Sequence, residues 1–276
     1  MSNIVKINDF SAPELDVFVR LTGAELRRGV EEGQGILIAE SSTVVEVALG
    51  AGIKPIAMLT DEKLLGTSSV VHILDKCKDV PVYCATTEVL RQLTGFALTR
   101  GVLCAMERPV LRSVEEILEG ARRIAVFDGI TDAANIGALF RSAAALDIDA
   151  VLVTAACCDP LCRRAVRVSM GTVFQVPFTR IGGSEAEWQT EGIAKLQSLG
   201  FKVLAMALSD NSVPIDSPVL RGEEKLALVL GTEGQGLAPK TIEGCDYTVK
   251  IPMSHGVDSL NVACAGTLAF WELGRR

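Results

Sequence analysis

Six short apolar runs recur between residue 121 and the C-terminus, and segments of helical spacing separate most of them. The runs are "RIAVFDG" (123–129), "DAVLVTA" (149–155), "TVFQVPFTRI" (172–181), "KVLAMAL" (202–208), "KLALVLG" (225–231) and "DYTVKIPM" (246–253). Strands this apolar are covered on both faces, and parallel neighbours need a crossover long enough to hold a helix. The alternation therefore predicts an α/β unit with a mostly parallel sheet and helices on both faces. Its helices are "NIGALFRSAAALD", the basic "PLCRRAVRVSM", "SEAEWQTEGIAKLQSLG" ending at Gly200, and the terminal "SLNVACAGTLAFWEL". Open sheets of this kind bind ligands beyond the carboxyl ends of their strands.

Residues 1–107 read as a separate, smaller α/β unit. "GILIAES", "KPIAMLT", "VPVYCAT" and "RGVLCAME" are its strands. "LTGAELRRGVEEG" is helix-like, "STVVEVALGAG" is an amphipathic helix closed by Gly50 and Gly52, and a further helix starts near Glu88. Residues 108–120 form a linker or connecting helix, and residues 121–276 hold the second unit.

The 276 residues are 49% hydrophobic and 22% charged, enough to bury two sizeable cores. No apolar run approaches the ~20 residues that span a bilayer, and "MSNIVKINDF" lacks the apolar core of a signal peptide. A cytoplasmic protein without membrane contact is expected. Eight cysteines include no C-x-x-C pair, and with two histidines they offer no metal spacing. They read as buried thiols of a reducing compartment. A net charge of −7 argues against a broad nucleic-acid-binding face. Any RNA contact has to come from a local cluster such as Arg163, Arg164 and Arg167.

Three loops of the second unit carry polar residues at strand ends. "LVLGTEGQGL" (228–237) leaves an apolar strand and looks like a phosphate cradle. It lacks the Lys-Ser/Thr of a P-loop, and its glycines are spaced G-x-x-G-x-G, not the G-x-G-x-x-G of a dinucleotide site. Glu233 would also repel a phosphate. In "NIGALFR" (135–141), Asn135 can cap a helix that carries Arg141. In "IPMSHGVDSLNVACAG" (251–266), Ser259 or Asn261 can do the same. Taken singly, each polar residue is satisfied as a cap or a solvated side chain. His255 has no identified Asp, Ser or Cys partner and is not expected to act as a base.

Together, in this order, the three loops resemble the three motifs of the SpoU (TrmH-type) RNA ribose 2′-O-methyltransferases of the SPOUT superfamily. Arg167, Ser169 and Gly171 add that family's Arg-x-Ser-x-Gly stretch. The resemblance covers residues ~120–276. It implies a sheet end tied in a trefoil knot. The first unit resembles, more weakly, the small RNA-binding α/β domain that precedes many of these catalytic domains. There the family often has Glu-Gly where this chain has Glu40–Ser41.

The resemblance implies S-adenosylmethionine as cofactor, held by Gly231, Thr232, Ile251, Met253 and Leu260, with no metal. It places Arg141 at the reacting ribose hydroxyl, with Asn135, Glu233, Ser259 and Asn261 around it, and Arg163, Arg164 and Arg167 on RNA phosphates. The implied protein is a homodimer that methylates ribosomal or transfer RNA. The alternative is a non-catalytic RNA-binding or ribosome-assembly factor with the same fold, which the acidic charge favours and the filled motif positions oppose.

Overall fold

Most of the strands form where the apolar runs lie, and most are shorter than the runs. This is so in the computed structural model, which describes residues 3–7, 13–19, 23–28, 35–94, 101–209, 211–232, 234 and 236–274. Two compact units result. Met1–Val110 is joined by Leu161–Gln175 in one, and Leu111–Pro160 by Val176–Arg276 in the other.

The first unit contains strands β1 (Asn3–Lys6), β2 (Ile36–Glu40), β3 (Pro55–Asp61), β4 (Pro81–Ala85) and β5 (Val102–Glu107), in the order β1-β4-β3-β5-β2. β4 runs parallel to β1 and β3, whereas β5 is antiparallel to β2 and β3. Leu59, Leu103 and Ala105 lie fully buried in its core, with Leu15 and Leu90 from the covering helices. β1 and the helix Ser68–Lys76 were not legible in the sequence, because "NIVK" is short and half polar. Most of the helix expected in "LTGAELRRGVEEG" lies outside the described residues, which show only Gly23–Leu26 helical.

The helix Ser42–Gly50 starts at Ser41, whose Oγ accepts from Val44 N at 3.3 Å. Ser41 has φ 92° and ψ 150°, a region open almost only to glycine. Here the departure from the family's Glu-Gly leaves a strained residue. The basic helix Arg163–Val168 packs beside β2 in this unit, burying Ala165 and Val166. Arg163 Nε and Arg167 Nη1 reach the buried Glu40 carboxylate at 3.1 and 3.4 Å. These two expected phosphate contacts are therefore already engaged by a carboxylate, while Arg164 is exposed.

The second unit contains β6 (Arg123–Phe127), β7 (Ala150–Val153), β8 (Phe178–Arg180), β9 (Lys202–Met206), β10 (Val213–Pro214), β11 (Leu226–Leu230) and β12 (Tyr247–Lys250). Their order is β10-β12-β9-β11-β6-β7-β8, and every recorded pairing is parallel. The expected long strand "TVFQVPFTRI" is a correction: Thr172–Phe174 is a 3₁₀ turn, and only Phe178–Arg180 pairs in the sheet. Pro177 cannot donate to a ladder and delays the strand.

The helix Ala133–Ala145 also starts earlier than expected. Asp132, not Asn135, caps it, accepting from Ala134 N at 2.9 Å. Asn135 is thereby moved into the first turn and buried. This helix and Val262–Gly274 cross closely where Gly266 meets Leu139 and Leu230; a Cβ there would lie 2.3 and 2.9 Å from their methyl carbons. Phe140 packs edge-on against Phe127 and Phe178, with ring centroids 5.6 and 5.3 Å apart.

Candidate active site

The carboxyl ends of β9, β11 and β12 enclose a cavity of about 580 Å³, a size that suits a small organic ligand. β11 contributes the loop that follows Leu230. That loop folds back on itself: Thr232 N donates to Gly236 O at 3.2 Å and Gly236 N to Thr232 O at 3.1 Å. Two of its N–H groups are thus consumed internally and are not offered to a phosphate, which agrees with the sequence argument. Gly231 has to be glycine for this turn to close, since a Cβ would sit 2.7 Å from Gly236 C and 2.8 Å from Leu237 N, both backbone atoms. Glu233, expected beside the reacting hydroxyl, lies outside the described residues.

The loop after β12 forms the opposite wall, and the residues from Asp258 to Val262 close it. Asn261 caps the terminal helix, its Oδ1 accepting from Ala263 N at 2.9 Å and Cys264 N at 3.3 Å. Its Nδ2 donates to Asn135 Oδ1 at 3.0 Å. The cap and the functional reading of Asn261 are therefore not alternatives: capping fixes one end of the amide and aims the other at Asn135. Ser259 lies exposed, its Oγ donating to Asp258 Oδ1 at 3.1 Å.

Gly231, Thr232, Ile251, Met253, Leu260, Ser259 and Asn261 all line this one cavity. Asn135 joins it through Asn261. Arg141 does not: it lies on the helix of Asn135, about 9 Å further along and ~240° around, and is exposed. Arg163, Arg164 and Arg167 belong to the first unit. His255 is exposed, as expected. The sequence missed Met206, Ala207, Leu208, Lys250 and Asp258, which also line the cavity. Only the pairing of β9 between β11 and β12 brings the first three there, and no local motif signals a strand order.

At the end of β6, Asp128 is buried beside Thr154 and Thr241, whose hydroxyls donate at 3.2 and 3.4 Å. Burial pushes its carboxyl above the ordinary aspartate range, and the contacts from Trp188, Thr154 and Thr241 offset this only in part. The Trp188 indole N–H closes no full hydrogen bond, so its help is weak. Among the described residues no cluster of His, Cys, Asp and Glu could hold a metal ion. Among the described residues no cysteine forms a disulfide, and burial raises the thiol of Cys245 to about 12, away from thiolate chemistry.

Comparison with known proteins decides the family. The profile of the SpoU rRNA Methylase family matches residues 122–271. The chain belongs to the SpoU family of RNA methyltransferases. An uncharacterized tRNA/rRNA methyltransferase of Mycobacterium bovis is 39% identical over 99% of this chain and 92% of its own length. The 23S rRNA (guanosine-2′-O-)-methyltransferase RlmB of Acinetobacter baylyi is 32% identical, over 71% of this chain and 79% of its own length. The fold of this SpoU chain is similar to that of an AdoMet-bound rRNA methyltransferase from Sinorhizobium meliloti, with a TM-score of 0.81, 21% identity and coverage of 99% of this chain and 98% of that one.

Proposed function

We propose that the protein transfers a methyl group from S-adenosylmethionine to a ribose 2′-hydroxyl of ribosomal or transfer RNA. The observation that carries this is the single cavity lined by Gly231, Thr232, Ile251, Met253 and Leu260 with Ser259 and Asn261 on its wall. Its fit to the cofactor is chemical. Leu230, Leu237, Val249 and Val262 offer an apolar slot for adenine, and the close approach of the chain at Gly231 leaves main chain rather than side chain at its edge. The relative from A. baylyi is named for a guanosine 2′-oxygen, and the S. meliloti protein holds AdoMet.

Bound there, the cofactor supplies an electrophilic methyl group on a sulfonium. The chain's own residues have to align the hydroxyl and stabilise the charge that develops on it. The linked amides of Asn135 and Asn261 form a rigid polar edge for this alignment. Arg141, with its planar guanidinium fork, orients the ribose or its phosphate and stabilises the nascent alkoxide. It meets the other groups only when substrate or a second subunit brings the ribose to its exposed face.

A homodimer belongs to this reading: Cys264, Leu268 and Trp271 form an exposed apolar stripe at helical spacing on the terminal helix. So do a knotted sheet end, a first unit that contacts RNA, and a cytoplasmic location. Among the described residues no helix is long and apolar enough to cross a membrane.

Calorimetry with S-adenosylmethionine tests the cofactor. Micromolar binding is expected for the wild type and none for Gly231→Ala, whose Cβ would force the turn open. Mapping of 2′-O-methylated positions in RNA from cells lacking the gene, restored by wild type but not by Arg141→Ala, tests the reaction. A missing base methylation instead of a ribose one would overturn it.

A further inference from the structure

The cofactor reading gives no role to two side chains of the cavity. Among its described lining residues, Lys250 and Asp258 are the charged ones, of opposite sign. They form no ion pair with each other or with any other described residue, so neither charge is spent inside the fold. Lys250 is half-buried at the end of β12, its backbone fixed by pairing with β10 and by accepting from Ile215 N at 2.9 Å. Asp258 stands in the closing loop, where the Ser259 hydroxyl donates to one carboxylate oxygen. A carboxylate keeps acceptor capacity beyond one such bond.

We infer that Lys250 and Asp258 hold the amino-acid end of S-adenosylmethionine, Lys250 its carboxylate and Asp258 its ammonium. This rests on the cofactor reading and deepens it. The glycine-rich turn and the apolar slot carry no charge among the described residues and suit the adenosyl end. The other end is a zwitterion, and taking its charges out of water is costly unless each meets a partner. A lysine ammonium is a point charge with three donors, matched to a carboxylate; an aspartate accepts from an ammonium. The two residues thus give the cavity one partner for each charge of an α-amino acid, and they select against nucleosides that lack it.

Binding of three ligands to wild type, Lys250→Met and Asp258→Asn tests this: S-adenosylmethionine, its decarboxylated analogue, and methylthioadenosine, which lacks the amino-acid arm. Lys250→Met should weaken S-adenosylmethionine about fivefold to tenfold and the decarboxylated analogue less than twofold. Asp258→Asn should weaken both alike, because both keep the amine. Methylthioadenosine affinity should stay unchanged in both variants, which reports an intact cavity. Equal loss of all three ligands, or no loss of S-adenosylmethionine, overturns the assignment. A wild-type protein that binds none of the three overturns the cofactor reading itself.

Discussion

Asn261 shows how one side chain can cap a helix and hold a second side chain with different atoms. Its oxygen caps the terminal helix and its amide nitrogen reaches Asn135. The two functions separate by substitution. Asn261→Ala removes both, and is expected to cost about 1 kcal/mol of stability through the lost cap as well as most of the methyl transfer. Asn261→Asp keeps an acceptor for the helix N–H groups but puts a carboxylate against the Asn135 oxygen. Its melting temperature should stay near that of wild type while turnover falls about tenfold or more. Equal melting and equal turnover would show that the Asn–Asn link does nothing for the reaction. Ser41 is the opposite case, a residue that stability alone would not choose. Glycine at this position relieves a backbone cost of ~1–3 kcal/mol and gives up a few tenths in capping and up to ~1 in chain entropy. Ser41→Gly should therefore raise the stability of the first unit by about 1 kcal/mol, read from the denaturant midpoint; a loss would mean that the Ser41 cap outweighs the strain.

At the scale of elements, the candidate site depends on how closely the helices Ala133–Ala145 and Val262–Gly274 approach, since the first carries Asn135 and Asn261 caps the second. Gly266 permits that approach. The methyl groups that a Cβ would meet belong to Leu139 and Leu230, both fully or almost fully buried and without room to retreat. Gly266→Val is expected to cost about 2–3 kcal/mol by overpacking, and to weaken turnover as the helices move apart. Chemical denaturation followed by fluorescence measures the first effect; an unchanged midpoint would show that the crossing is loose. The sequence announced these elements because apolar runs such as Leu226–Leu230 and the helix pattern of Ile136, Leu139, Phe140 and Ala143 encode burial directly. It did not announce where they begin. Asp132 displaced Asn135 as cap because both residue types cap equally well, and nothing local chooses between them. The cavity residues on β9 stayed hidden for a different reason. Met206, Ala207 and Leu208 look like any strand end, and only sheet order makes them neighbours of the glycine-rich turn.

At the scale of the whole molecule, an acidic chain has to approach an acidic polymer. With a net charge of −7, long-range electrostatics opposes binding, so affinity must be concentrated in a few contacts. The basic segment around Arg163 is the clearest candidate, but its arginines are not equivalent. Arg163 and Arg167 share the buried Glu40 carboxylate. Removing either leaves that carboxylate poorly compensated and damages the first unit as well as any RNA contact. Arg164 is exposed, which leaves it open to a phosphate. If it meets a phosphate, Arg164→Gln should weaken RNA binding uniformly across sequences and reduce the slope of log affinity against log salt by about 0.7–0.9. An unchanged melting temperature would show that the loss is confined to the RNA contact. An unchanged slope would take Arg164 out of the interface.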